Sequence, residues 1–445
     1  NNVLYHRHQY ARIEIFKNHF YIKEYDENVY EIIYKLKRYA ESGIKNYTHS
    51  VDLWMKNSGL IIDCDEKKNA LRNLFKNSKV AFIYGAAGTG KSTMINYISS
   101  LFKDKQKIFL ANTNPAVENL RRKVTAEHAE FVTITKFLSK DVSNDCDILC
   151  LDECSTISNR DMVRVLQRAQ CKLLVLVGDI YQIESILFGN WFNIAYKVMP
   201  KDSVAELTRP HRTTVQGLIE VWNKVREITE DRLEFITRNG LSSTLDESIF
   251  SRTEEDEIVL CLNYDGIYGI NNINKFLQSN NVNPSINWGV LSYKVGDPVL
   301  FNESNRFAPL VYNNLKGKIL QIEEEEDCIY FTIEVYTVLN ELDVIGFDLE
   351  LKESVTDETS VIRFKVGRGG DGNDDNDNVE NVVPFQVAYA ISIHKAQGLE
   401  YESVKVVITS EIEEMVSHNT GEEQIEDLLE SGNGKTHIGE YEGTV

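Results

Sequence analysis

The run Gly85-Ala86-Ala87-Gly88-Thr89-Gly90-Lys91-Ser92-Thr93 has the residue types and spacing to hold a polyphosphate. Glycines let backbone N–H groups close around an anion that a Cβ would keep away. The ammonium of Lys91 would reach the β- and γ-phosphates, and the Ser92 hydroxyl would ligate Mg²⁺. A second cluster, Asp152-Glu153, ends the apolar run Ile148-Leu149-Cys150-Leu151. Paired carboxylates at a strand end can hold Mg²⁺ through Asp152 and leave Glu153 to orient or deprotonate an attacking water. A third strand end, Leu176-Val177-Gly178-Asp179-Ile180-Tyr181-Gln182, offers in Gln182 an uncharged amide able to sense a γ-phosphate. Together these residues predict binding and hydrolysis of a nucleoside triphosphate with Mg²⁺.

The elements around these residues must present them at one edge. Val80-Ala81-Phe82-Ile83-Tyr84 reads as a buried strand, and Met94 to Phe102 has helical periodicity, which is the strand–loop–helix setting a P-loop needs. A helix over about 66–75 leads in. Lys107–Asn112 reads as a strand followed by a helix over Pro115–Val124, and Cys146–Leu151 and Lys172–Val177 read as further buried strands. Such alternation predicts a parallel sheet covered by helices. Helical patterns dominate 201–290, notably Val215–Thr229 and Gly269–Ser279. Short β-rich runs fill 296–366, and Gly367–Asn381 reads as a disordered Gly/Asp/Asn loop.

The chain has 445 residues, 42% hydrophobic and 26% charged, too long for one core but ordinary for a soluble globular protein. No apolar run approaches the ~20 residues a bilayer span requires, so no membrane is expected and the cytoplasm is the expected location. Asn1 rather than Met opens the sequence, which suits a fragment or a processed product. The net charge of −20 argues against a basic coat but leaves room for a narrow positive channel. Seven scattered cysteines, without a supporting His cluster, read as buried thiols in a reducing compartment.

The motif set resembles superfamily 1 helicases, most closely their RecD/Dda-like branch, over about 60–419. Asn112-Thr113-Asn114-Pro115-Ala116 is similar to motif Ia and Thr133-Ile134-Thr135-Lys136-Phe137-Leu138 to its neighbour. Asp152-Glu153-Cys154-Ser155 resembles motif II, and Gly178-Asp179 through Gln182 resembles motif III. Leu207-Thr208-Arg209-Pro210-His211-Arg212 is similar to motif IV, and Asn313-Asn314-Leu315-Lys316-Gly317 to a turn of this branch's β insert. Ala388 to Glu400, with Ser392, His394, Gln397 and Gly398, resembles motif V.

The resemblance implies two RecA-like parallel-sheet domains in tandem, with a small SH3-like β insert in the second. It implies domain 1 at 57–200, domain 2 at 201–295 and 384–419 and the insert at 296–383. Outside it, 1–56 reads as a helical segment from the helical spacing of its aromatics, Lys and Glu, and 420–445 as an atypical tail. The resemblance further implies an arginine, Arg212 with Arg209 as rival, touching the γ-phosphate, and Gln397, Gly398 and Glu400 facing the nucleotide. Contacts to single-stranded DNA fall to Thr113, Asn114, Pro115, Thr133, Thr135, Ser392 and His394. Phe307 and Tyr312 are stacking candidates, with an ordinary β core as the rival explanation. The implied nucleotide is ATP, and the implied activity is ATP-driven movement on single-stranded DNA, 5′→3′ by analogy. The alternative is a P-loop regulatory module of a larger assembly.

Three departures stand out. Asp65-Glu66-Lys67-Lys68-Asn69 lacks the adenine-reading Gln of the family, which leaves base preference open. Only Ser139–Asp145 separates the DNA motifs from motif II, too little for the family's wedge hairpin. Beyond Asn419 the Thr-Arg-Ala-Lys helix of motif VI is missing. With free codon choice and a one-base shift, the tail can spell that motif, so it is expected to be a frameshift product.

Overall fold

The computed structural model describes residues 12–17, 19–86, 88–139, 144–180, 189–209, 216–226, 229, 231–244, 247–251, 254, 256–302, 306–308, 310–354, 356–368, 381–396, 399, 401–408 and 432–440. The chain divides into two units, Asn1–Glu227 and Ile228–Val445.

The first unit is built on a sheet that, among the described residues, has six strands. They run in the order Ala129–Thr133, Lys107–Ala111, Asp145–Leu151, Gln170–Gly178, Val80–Gly85, Val204–Leu207, and every neighbouring pair is parallel. Strands buried on both faces must be apolar throughout rather than alternating, and Val80–Gly85 is buried at every position. Its residues sort by face. Val80, Phe82 and Tyr84 join one core, and Ala81 and Ile83 join the other. The helices Lys23–Tyr39, Asn159–Arg168 and Trp191–Val198 close the first face with Ile32, Leu36, Met162, Val165, Trp191 and Phe192. The helices Tyr47–Asn57, Asp65–Asn73, Lys91–Leu101 and Asn114–Lys123 close the second with Val51, Leu71, Met94, Ile95, Ile98 and Leu120.

Two expectations change here. The stretch 1–56 is not a purely helical lead-in. A β-hairpin, Ile13–Phe16 with His19–Ile22, comes first, and the two helices after it each cover one face of the sheet. The boundary expected at 200 moves to Glu227, because Val204–Leu207 pairs with the P-loop strand (Phe82 opposite Val204, Tyr84 opposite Glu206). Four residues with a charge among them carry too weak a strand signal to be assigned to a sheet without seeing the pairing.

The second unit also has a parallel sheet, of five strands among the described residues. Their order is Ala390–Ser392, Glu257–Cys261, Tyr401–Ile408, Gly432–Glu440, Ser242–Thr244. The helix Ile270–Asn280 packs Ile270, Ile273 and Leu277 against Val259, Cys261 and Val407. The chain thus has two parallel α/β lobes in tandem, as the strand–helix alternation predicts. The backbone at Gly432–Glu440 is a strand of this sheet, so part of the atypical tail is built into the lobe. Residues 409–431, where motif VI was sought, lie outside the described residues, as do 369–380 of the Gly/Asp/Asn loop.

Between Glu257–Cys261 and Ala390–Ser392 the chain makes the expected β insert. It is a six-stranded antiparallel sheet among the described residues, ordered Glu350–Lys352, Ser360–Gly367, Cys328–Val335, Lys316–Glu324, Pro298–Phe301, Phe385–Val387. Phe385 therefore closes the insert instead of resuming the parallel sheet, which restarts at Ala390. Phe301, Phe307, Phe331, Phe364 and Phe385 form its core. Phe307 is wholly buried there, which rules it out as an exposed stacking platform, and Tyr312 packs on the same core. Asn314 takes the left-handed conformation (φ 65°) that Asn tolerates at such a turn. Buried Asp297 ties the insert to the lobe, accepting hydrogen bonds from Gln278 Nε2 (2.6 Å), Asn281 Nδ2 (2.8 Å) and Tyr389 Oη (2.8 Å).

A Cβ at Gly317 would come within 2.8 Å of the Glu334 carbonyl oxygen and 2.9 Å of Ile333 Cγ2 across the strand pair. Gly317→Ala should destabilise the unit by ~1–3 kcal/mol, measured as a shift in denaturant midpoint at unchanged slope.

Candidate functional site

In the first unit the chemistry-bearing residues collect at the carboxyl ends of the parallel strands, the edge at which open α/β sheets bind ligands. The strand Val80–Gly85 runs into the loop, and Gly90 (φ 91°) caps the helix Lys91–Leu101. Gly88 (φ 76°) is left-handed as well, a conformation that a side chain would strain. A Cβ on Gly85 would meet Thr89 Oγ1 at 2.5 Å and the Leu207 carbonyl oxygen at 2.8 Å. The loop also braces itself. Thr89 Oγ1 donates to the Ala86 carbonyl (2.9 Å), and Lys91 Nζ donates to the carbonyls of Gly85 (2.6 Å) and Ala86 (3.0 Å). The helix has no side-chain N-cap, so its first N–H groups and its positive end point at the place where phosphates would lie. Ser92 and Thr93 sit in that first turn, half-buried.

The strand Asp145–Leu151 delivers Asp152 and Glu153 to the same edge, with Gln170–Gly178 lying between it and the P-loop strand. Asp152 Oδ1 accepts a hydrogen bond from the Glu153 N–H at 2.9 Å. Glu153 is left-handed (φ 52°), a conformation that costs a side-chain-bearing residue ~1–3 kcal/mol. It is held by the turn that follows, where Thr156 Oγ1 and N both donate to its carbonyl (2.9 and 3.0 Å). Both carboxylates keep some solvent contact yet are densely surrounded. Burial raises the Asp152 pKa, and the Lys91 ammonium partly offsets that. Burial, then the charge of Asp152, pushes Glu153 up to about 7. A carboxylate poised near neutrality is suited to take a proton from water. Among the described residues no group of three or more His, Cys, Asp or Glu could hold a metal by itself. The hydroxyl of Ser92 and the carboxylate of Asp152 are hard oxygen donors that suit Mg²⁺, which keeps waters and shares a substrate's phosphates.

The loops expected to meet DNA follow neighbouring strands. Thr113 Oγ1 caps the helix Asn114–Lys123 by accepting from Ala116 N (3.3 Å), and Thr133 Oγ1 caps Ile134–Leu138 by accepting from Lys136 N (3.2 Å). Both threonines are thus explained in part as N-caps. Asn114 and Thr135 are exposed, whereas Pro115 is buried and offers a ligand little surface. In the second unit Ser392 is buried and accepts from Lys395 N at 3.3 Å, starting the helix Ile393–Ala396. Ala87, Gln182, Arg212, Gln397, Gly398, Glu400 and the side chain of His394 lie outside the described residues. The rival arginine, Arg209, is described and exposed.

Two residues escaped the sequence reading. Glu66 Oε1 accepts from both the backbone N–H (3.1 Å) and the hydroxyl (3.0 Å) of Thr208, and so grips the chain just before Arg209. Beside it, Lys67 is buried against the P-loop. The Asp63/Lys67 spacing was the available signal, but it also fits an ordinary surface pair.

Comparison with known proteins finds similarity over part of this geometry. Residues 64–246 match the family model described as an AAA domain. That stretch contains the P-loop, the Asp152-Glu153 pair and the Glu66–Thr208 clamp. The chain is 23% identical to an uncharacterised protein of Methanocaldococcus jannaschii over 79% of its own length. It spans about a third (36%) of that relative. Solved structures of similar chains include Bacteroides Pif1 bound to single-stranded DNA, at 18% identity and a TM-score of 0.49, covering 85% of this chain and 92% of that one. The Pif1 helicase of Candida albicans matches at the same identity and TM-score over 85% and 94%.

The raised Glu153 carboxyl should shape the pH response of hydrolysis at this site. ATP turnover should rise from pH 6 to 8 with a midpoint near 7, the value to which Glu153 is pushed, and Glu153→Gln should be slow and flat across that range. The sign for stability is the reverse. A carboxyl raised from 4.5 to about 7 is costly when ionised, so it lowers stability as pH climbs through that window. Glu153→Gln should therefore melt higher than wild type at pH 8, and by less at pH 5.

Proposed function

We propose that the chain is an ATP-driven superfamily 1 motor of the RecD/Dda-like branch, moving on single-stranded DNA. The arrangement of Lys91 and the raised Asp152-Glu153 pair on one sheet edge carries this reading. The ordered motif set and the AAA-domain match support it. In this reading the P-loop amides and Lys91 bind the triphosphate tail, and Glu153 accepts a proton from the attacking water. Mg²⁺, when bound, neutralises charge on the phosphate oxygens. An arginine of the 208–212 segment adds positive charge to the transferred phosphoryl group, an effect worth ~10³–10⁵ in rate in comparable NTPases. Loops after Ala111 and Thr133, with exposed Asn114, Thr135 and Lys136, supply DNA contacts in the first unit, and His394 those in the second. Movement is 5′→3′.

Steady-state hydrolysis with and without single-stranded DNA tests this. Stimulation by single-stranded DNA is expected, because closure of the site gates turnover in such a coupled motor. Lys91→Ala should abolish both basal and stimulated turnover, and with them any strand displacement on a tailed duplex. A basal rate that DNA leaves unchanged would favour the regulatory module instead.

A further inference from the structure

Lys67 is a charge that the nucleotide reading has not used. It stands in the helix Asp65–Asn73 only 1% exposed, and its Nζ pairs with Asp63 Oδ2 at 2.5 Å. A Cβ built on Gly90 would collide with its Nζ and lie 2.9 Å from its Cε. The ammonium is therefore packed behind the glycine turn that starts the helix Lys91–Leu101. A positive charge at a helix's positive end is unfavourable, and lysines are almost never fully buried without a partner. Filling space there would need no charge, since Met has similar reach and no such cost. Asp63, at 37% exposure, balances the ammonium only from the solvent side.

We propose that Lys67 is a positioning residue of the triphosphate site, a second positive charge acting on the bound phosphates through the Gly90 turn and held there by Asp63. The proposal rests on the nucleotide-binding reading above. In the unliganded protein the ammonium and the helix end repel one another. A polyphosphate laid against the loop relieves both, so this strain becomes affinity for ATP.

The test uses the full chain, with dissociation constants for ATP and ADP and melting temperatures with and without ATP. Lys67→Met should weaken ATP about tenfold, the scale of one partly buried charge pair, and should weaken ADP less. Its unliganded melting temperature should hold or rise, because the ammonium no longer sits against the helix end and Asp63 is 37% exposed. Asp63→Asn should do the opposite, lowering the unliganded melting temperature and enlarging the rise that ATP produces. Lys67→Gln keeps a donor and removes the charge, and should resemble Lys67→Met. A packing role gives another pattern, with Lys67→Met melting lower and losing ATP and ADP equally, and that result overturns the proposal. So does Lys67→Gln binding ATP as wild type does. If wild type itself binds no nucleotide, the functional reading falls with it, whereas tight wild-type binding that is indifferent to Lys67 sinks this inference alone.

Discussion

Charge concentrated at the carboxyl edge of one parallel sheet is the constraint on which the rest of the first unit depends. The charges of Lys91 and Asp152 act on the protonation of Glu153, that of Lys91 acts on Asp152 as well, and Lys67 adds a further ammonium behind the loop. Each would be costly in a dry interior. The sheet tolerates them because strand ends and helix starts leave backbone groups in need of partners there. Lys91 satisfies the carbonyls of Gly85 and Ala86, Asp152 takes the N–H of Glu153, and the helix after the loop keeps its own N–H groups directed outward.

Rigidity underneath makes that tolerance affordable. Both faces of the sheet are sealed by helices, and the layer of Tyr84, Trp191 and Phe192 packs directly under the site, with Tyr84 and Phe192 rings 4.5 Å apart. A Cβ at Gly178 would press on Phe192 at 2.8 Å and on the Cys154 amide nitrogen at 3.1 Å. The left-handed backbone of Glu153 persists because its surroundings leave it no relaxed alternative. Strain and a raised pKa on one residue are two consequences of the same crowding.

The second unit solves a different problem. Its antiparallel insert leaves and re-enters a parallel sheet, and the two strand systems must be held in register at the join. Asp297 does this with hydrogen bonds reaching the helix Ile270–Asn280 and Tyr389, while Asn274 accepts from the N–H groups of Tyr389 and Ala390 (2.8 and 2.9 Å). The strand that carries Ser392 is thereby set by polar contacts upstream of the residue itself.

By itself the sequence marked the candidate chemistry. The P-loop was legible because its glycines and lysine must be contiguous, and the Asp152-Glu153 pair because it ends a continuous apolar strand. The β insert was legible as a change of period, and the parallel lobes as alternating patterns. What tertiary structure decided were facts of pairing and depth. Val204–Leu207 belongs to the first sheet only because the P-loop strand accepts it as a neighbour, and Phe385–Val387 to the insert only because Pro298–Phe301 does. Phe307 and Pro115 read as candidate contacts and proved buried, since aromatic and apolar residues look alike in sequence whether they face a core or a ligand. Lys67 and Glu66 were unreadable for the converse reason. Two adjacent charges on a short helix resemble a solvated face until folding sets one against Gly90 and the other against Thr208.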